Sequence, residues 1–233
     1  SSIKDETTEG AKFNEVYNAL TKSPEFKKLF LDLFDNNNKR FNVKFEIAEH
    51  LYKDNDPTKK EVNGKTYFDG TPNLIIKINK QILSSTGSIP KVDIEIAKTI
   101  IHECIHAYLS IKGGHINAGM DIAGVINFEY NTKNGQHDFM YKHMLPIMSK
   151  ILAEIRDLVT YQAGRTEVES LIMIPTKTPL TREKWLWTNY YKFISINGLD
   201  ETTFFTNDFP QDSDSYNFYT QYNTYGHEYL NKK

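Results

Sequence analysis

The sequence predicts an α+β protein in which a small sheet packs on a long helix. Three observations support this fold class. Apolar side chains recur at helical spacing in residues 93–112, and they do so again in residues 136–162. Residues 41–47 and 74–78 instead have the short, β-branched and aromatic composition of strands. We therefore expect a small sheet and two long helices, with extra helices towards both ends of the chain.

The composition is that of an ordinary soluble globular protein. Of the 233 residues, 39% are hydrophobic and 25% are charged, and the formal net charge is −2. This weak net charge gives no support for a nucleic-acid partner, and no run of about 18 to 20 apolar residues predicts a membrane span. The single cysteine excludes an internal disulfide framework and a cysteine zinc ribbon. The chain starts at Ser1 rather than Met, which favours removal of an upstream segment and leaves export as one interpretation.

The elements before the first long helix are predicted from local patterns. Residues 13–20 and 26–34 place aromatic and aliphatic side chains at helical spacing, so we expect two short helices that face a core. Residues 41–47 alternate apolar and polar side chains, which is typical of a half-buried strand. The Lys-, Asp- and Asn-rich run at residues 53–64 is expected to be a solvated loop. The strand at residues 74–78 comes next.

Residues 102–106 read His-Glu-Cys-Ile-His inside the first long helix. Two histidines four residues apart project from one helix face, one turn apart, so both imidazoles can reach one ion. Glu103 flanks that face and can hold a metal-bound water. Cys104 lies on the apolar stripe of the helix and is expected to be a small core side chain rather than a reactive thiol. The alternative is that His102 and His106 are surface histidines of an amphipathic helix.

The second half of the chain contains one more long helix and an aromatic-rich region. Residues 113–135 are rich in Gly and Asn and are predicted to form a long loop, with a short strand at residues 122–130 as an option. The helix predicted for residues 136–162 must kink or break near Pro146, because proline removes one backbone donor and its ring clashes with the preceding turn. Residues 185–194 are expected to form an aromatic-rich helix.

These elements predict one domain with appendages, divided into three segments along the chain. A metal-binding core is expected to hold both strands and both long helices. The N-terminal part is a helical segment, and the C-terminal part is an aromatic-rich extension packed on the core. The predicted boundaries are residues 1–40, 41–162 and 163–233.

A catalytic zinc ion needs a third protein ligand downstream of the histidine pair, because such ions take three protein ligands and leave a position for water. Asp121 and Glu129 are carboxylate candidates, and His115 would require a sharp reversal of the chain. His137 is preferred, since it lies in the first turn of the second long helix, on the face that packing would turn inward. His143 projects differently and is expected to be partly exposed.

The motif and its context resemble a known family. Residues 99–109, followed some thirty residues later by Gln-His-Asp-Phe-Met at residues 136–140, look like the SprT-like zinc metallopeptidases, especially divergent bacterial members. The similarity covers about residues 41–160. It implies a zincin-type α+β core in which one catalytic zinc ion is held by His102, His106 and His137, with Glu103 as general base. The chain lacks the cysteine ribbon and basic DNA-binding segment of SprT and Spartan proteins, so their DNA-protein crosslink substrates are not carried over.

This chemistry predicts an endopeptidase that acts on a protein or peptide substrate. Zinc would lower the pKa of its bound water towards ~7 and polarise the scissile carbonyl, while Glu103 takes the proton and delivers it to the leaving amine. Tyr141 is the candidate for stabilising the oxyanion, with Tyr130 as an alternative. A carboxylate that accepts a hydrogen bond from the second ring nitrogen of a ligand histidine would orient that ligand, and the candidates are Asp138, Asp121 and Glu129.

Substrate docking is predicted at a strand edge. In many HExxH peptidases the strand just before the active-site helix is an exposed edge, along which the substrate lies as an added strand. Residues 74–78 are the candidate edge, and an ordinary interior strand is the equally supported alternative.

Two other functions stay open at this point. A toxin or effector domain released from a larger secreted protein would use the same site, and an inhibitor or immunity protein would then be its partner. A non-catalytic metal-binding or interaction domain would keep the histidines for structure. Glu103 argues against that second alternative, because a structural zinc site does not require a flanking glutamate.

Overall fold

The computed structural model describes residues 7–31, 42–68, 73–114, 133–174 and 182–233. It is an α+β structure with mostly helices and a small sheet, as the sequence predicts. Contacts within the chain define two compact units, Ser1–Gly119 and Met120–Lys233. The division at residues 40 and 162 stays a prediction.

The sheet of the N-terminal unit has three strands. Strand β1 is Asn42–Ala48, β2 is Gly64–Phe68 and β3 is Asn73–Asn79. Their order is β1-β3-β2, with β3 parallel to β1 and antiparallel to β2. The prediction that residues 74–78 form an exposed edge is therefore wrong, because β3 is paired on both sides. Among the described residues β2 pairs on one side only, so it lies at an edge of this sheet.

The helices that precede the motif helix begin at polar caps. Helix α1 is Thr8–Leu20, and the Thr7 side chain accepts a hydrogen bond from the amide of Gly10. Helix α2, Pro24–Phe26, is capped by Ser23 and continues as a π turn, Lys27–Leu31. Helix α3, Lys80–Leu83, follows β3 directly and is capped by Asn79. The core-facing positions predicted for the first helix are buried: Phe13, Val16, Tyr17 and Leu20.

The motif helix, α4, is Asp93–Gly114. The predicted apolar stripe is buried at Ala97, Ile101, Cys104 and Ile105, which are at most 1% exposed, and half-buried at Tyr108. The other faces of the helix are also covered as far as Ile105, because every residue from 92 to 105 is buried. Helix α4 packs on α1, β2 and β3 within the N-terminal unit. The polar residues of α4 up to Glu103 therefore lie inside the unit.

The C-terminal unit is mainly helical. Helix α5, Lys133–Phe139, is followed by a π turn, Met140–Met144, and then by α6, Leu145–Ile155. Pro146 lies in the first turn of α6, so the predicted interruption of the second long helix is confirmed. A 3-10 turn, Arg156–Leu158, follows α6. The remaining α-helices and strands described are α7 Gln162–Ser170, β4 Ile172–Met173, β5 Glu183–Lys184, α8 Trp187–Ile196, α9 Thr203–Asp208 and α10 Asp214–Tyr229.

Aromatic side chains fill the core of the C-terminal unit. The rings of Trp185 and Tyr222 lie 4.6 Å apart, and those of Trp185 and Tyr190 lie 5.0 Å apart. Gly226 lets α10 approach α8, because a Cβ atom there would lie 2.2 Å from Cε2 of Tyr190. The predicted aromatic-rich helix thus serves packing. Within the described ranges, no helix has the length and apolar character needed to span a membrane.

Candidate metal centre

His102 and His106 lie together on α4. Their Nε2 atoms are 3.1 Å apart, and the ring centroids are 4.8 Å apart. Two imidazole nitrogens that bind one tetrahedral ion at about 2.0–2.1 Å lie roughly 3.3 Å from each other. The pair is therefore already close to the spacing of two ligands on one ion. His102 is buried at 8% exposure, whereas His106 is half-buried.

A third histidine completes the group. His102, His106 and His137 could hold a metal ion, since each offers one ligand atom and these atoms lie within 4.8 Å of one another. His137 is half-buried on α5. Three imidazoles suit several metals, including zinc, copper, iron and nickel, so the donor set leaves the metal open. The competing candidates His115, Asp121 and Glu129 lie outside the described residues.

Glu103 faces the sheet rather than solvent. It is 5% exposed, and the hydroxyl of Thr66 on β2 donates to its carboxylate Oε2 over 2.9 Å. The same hydroxyl lies 3.0 Å from the backbone carbonyl oxygen of Glu103. Gly64 leaves the space for this approach, because a Cβ atom there would lie 2.7 Å from Cγ of Glu103. Strand β2 thus contacts both the side chain and the backbone of the candidate base.

The surroundings of Glu103 adjust its acidity. Burial raises the pKa of its carboxyl to about 7, while the Thr66 hydrogen bond and the positive charges of Lys98 and Lys65 act in the opposite direction. A carboxyl group that titrates near neutral pH can both accept and return a proton under ordinary conditions. Its position next to two candidate ligands makes it the strongest candidate for a general base among the described residues.

Cys104 and Tyr141, which the sequence analysis also singled out, lie in surroundings unlike those of Glu103. Cys104 is a free cysteine at 1% exposure, and burial raises the pKa of its thiol, so it is the core side chain that the sequence predicts. The hydroxyl of Tyr141 donates to Oδ2 of Asp208 over 2.7 Å. Burial and this carboxylate raise the pKa of Tyr141. Its role in stabilising the oxyanion stays a prediction, as do the roles of Asp138 and of Tyr130, the latter outside the described residues.

Gly64 and Thr66 are not among the site residues that the sequence predicts. The composition of residues 53–64 predicts a solvated loop, but Gly64 is the first residue of β2. Local composition contained a partial indication, because Thr66, Tyr67 and Phe68 are residue types that favour strands. It could not show that this strand lies on the motif helix. His143, in contrast, is exposed as its position predicts.

Comparisons with known proteins identify no relative of the chain. No family model matches the chain, and neither the curated proteins nor the solved structures include a match. The resemblance to SprT-like metallopeptidases therefore rests on the sequence pattern and stays a prediction.

Proposed function

We propose that the protein is a zinc-dependent endopeptidase. The observation that carries this proposal is the pair His102 and His106, with Nε2 atoms 3.1 Å apart, on the same helix as the buried carboxyl of Glu103. A structural zinc site needs only ligands, whereas hydrolysis also needs a base. The combination favours catalysis over a purely structural ion.

The residues fit a catalytic zinc ion by their chemistry. Neutral imidazoles are common zinc ligands, and three protein ligands leave a position for water. His137 is proposed as the third ligand, as the resemblance to SprT-like peptidases implies. When bound, the ion supplies Lewis-acid polarisation of the scissile carbonyl and increases the acidity of a water molecule.

Glu103 supplies the proton transfers in this proposal. Its carboxylate accepts a proton from the attacking water and delivers it to the nitrogen of the leaving amine as the peptide bond breaks. Burial favours this role because a group with a raised pKa binds the proton more readily than an exposed glutamate does. The proton returns to the product, so the base is regenerated in each cycle.

The substrate is proposed to dock along β2 instead of β3. A peptide can add to a sheet only where backbone groups are unpaired, and β3 has partners on both sides. Strand β2 has one partner among the described residues and packs on α4. An extended peptide on this edge would run next to Glu103, which contacts β2 through Thr66.

The test is a peptidase assay with one matched control. Purified protein loaded with zinc is incubated with a diverse peptide library, and new termini are identified by mass spectrometry. We expect cleavage by the native protein and by Glu154→Gln, which removes an exposed carboxylate on α6. Glu103→Gln should retain zinc and lose roughly 100-fold or more in kcat, because it keeps the shape of the side chain and removes the base. Equal cleavage by Glu103→Gln would contradict the mechanism.

A further inference from the structure

Two residues of strand β2, Gly64 and Thr66, lie against Glu103. Gly64 and Thr66 are two residues apart, so they lie on the same face of β2. Thr66 donates a hydrogen bond to Glu103, and Gly64 lacks the Cβ atom that would collide with Cγ of Glu103. The intervening Lys65 points to the other face, where its Nζ contacts Oδ1 of Asn55 over 2.8 Å.

We infer that Thr66 is the positioning residue of the base, and that Gly64 provides the space in which Thr66 holds it. The inference rests on the proposed function, because it assigns Thr66 a role through Glu103. Thr66 acts on the direction of the Glu103 carboxylate and has no role as a metal ligand.

The geometry explains how one hydroxyl can fix a flexible side chain. The Thr66 oxygen lies 2.9 Å from the Glu103 carboxylate and 3.0 Å from the Glu103 backbone carbonyl. It therefore bridges the two ends of the same residue, and rotation of the glutamate side chain away from β2 would break one of these contacts. A glutamate has several rotatable bonds, so restricting them before the substrate binds reduces the entropy lost in reaching the reactive geometry.

The position on an edge strand also links the base to the docking surface. Thr66 belongs to the strand on which the substrate is proposed to lie. The same strand would therefore fix the position of the bound peptide and that of the Glu103 carboxylate. A small error in their relative position is costly, because reacting groups need to lie within about 3 to 3.5 Å of each other. Thr66 should therefore affect kcat more than KM.

Two substitutions at one position test the inference. Thr66→Val keeps the β-branched shape and removes the hydroxyl, whereas Thr66→Ser keeps the hydroxyl. We expect Thr66→Val to lower kcat by roughly 10 to 100-fold, the usual range for a residue that orients a catalytic group, with zinc content unchanged and KM within about twofold. Thr66→Ser should restore kcat to within a few-fold of the native value. Thr160→Val is the control, since it removes a part-buried hydroxyl that donates to the backbone carbonyl oxygen of Arg156 in the C-terminal unit.

A second measurement does not depend on activity. The denaturant midpoint of the metal-free protein is measured for Thr66→Val, for Glu103→Met and for the double variant. If Thr66 holds Glu103, Thr66→Val should shift the midpoint less in the Glu103→Met background than in the native background, because the partner is already gone. Equal shifts in both backgrounds would overturn the inference.

The outcomes separate this inference from the proposed function. If Glu103→Gln retains full activity, the proposed function fails. If Glu103→Gln is inactive while Thr66→Val has the native kcat, or while Thr66→Ser is no better than Thr66→Val, the proposed function stands and the positioning role is wrong.

Discussion

The two units bury polar side chains in different ways. Helix α4 of the N-terminal unit contains six buried polar side chains, most of them ionisable: Asp93, Glu95, Lys98, Thr99, His102 and Glu103. The buried polar side chains described in the C-terminal unit are Thr160, Ser195 and Thr202, and the rest of its core is apolar or aromatic. Burial of an ionisable group costs free energy unless it is paired. Among the described residues, the buried acidic, basic and histidine side chains all lie on α4, which makes this helix the main candidate for chemistry, whereas the described core of the C-terminal unit is apolar and aromatic.

Part of the polar set on α4 has a structural explanation. Glu95 accepts a hydrogen bond from the amide of Val92 at the start of the helix, and Asp93 pairs with Lys12 of α1 at 3.0 Å. These acidic groups also suit the positive end of the helix dipole. His102 and Glu103 lie well beyond the first turn, so capping does not explain their burial.

The largest expected effect concerns the third ligand. His137→Ala should lower zinc affinity by orders of magnitude, because two remaining imidazoles do not complete the site. Glu129→Ala should reduce it by at most ~10 to 100-fold, the range of a residue that only orients a ligand. Zinc affinity is measured by competition with a chelator, with His143→Ala as an exposed control on the following π turn. Loss of zinc in the Glu129 variant with retention in the His137 variant would assign the ligand to the carboxylate.

The pH dependence of stability gives a smaller effect. In the metal-free protein the pKa of Glu103 is raised from 4.5 to about 7, so the folded state binds more protons than the unfolded state between these values. Stability should therefore fall as pH rises from 4.5 to 7, by an amount on the order of 3 kcal/mol. Urea unfolding at several pH values measures it.

Glu103→Gln is the control for this pH effect. Glutamine does not titrate, so the variant should lose this part of the slope. The carboxyls of Glu61 and Asp157 have lowered pKa values and contribute mainly at pH values below this window. An identical pH profile for the native protein and the variant would contradict the raised pKa.

The smallest effect concerns Tyr141 in the C-terminal unit. Tyr141→Phe removes the hydrogen bond to Asp208 and should lower the free energy of unfolding by about 1 kcal/mol. Thermal or urea unfolding measures this change. The same variant decides the predicted oxyanion role: a kcat reduced by roughly 100-fold would support it, and an unchanged kcat would contradict it.

The sequence predicts correctly those features that depend only on residues close together in the chain. The periodicity of α4, the histidine spacing, the alternation of β1 and the break before Pro146 all depend on neighbouring residues, and the structure agrees with each of them. The burial of Cys104 follows from its place in the apolar stripe. For these features the helical and strand repeats contain enough information.

The features that sequence analysis missed depend on distant partners. The pattern of residues 74–78 does not reveal that β1 and β2 lie on either side of β3, because strand order is set by pairing across the sheet. Likewise, Thr66 becomes a candidate functional residue only through its contact with Glu103, thirty-seven positions away in the chain. Helices α9 and α10 lie in an Asn-, Asp- and Tyr-rich tail without a clear apolar repeat, and aromatic contacts such as Phe193 with Tyr222 stabilise them.

The most direct test of the metal centre is X-ray absorption at the zinc edge on protein loaded with one equivalent of zinc. We expect three imidazole nitrogens at about 2.0–2.1 Å, one further light atom from solvent and no sulfur. Loss of one imidazole in each of the His102→Ala, His106→Ala and His137→Ala variants would assign the ligands. A sulfur ligand, or four protein ligands with no open position, would contradict a catalytic zinc site on α4.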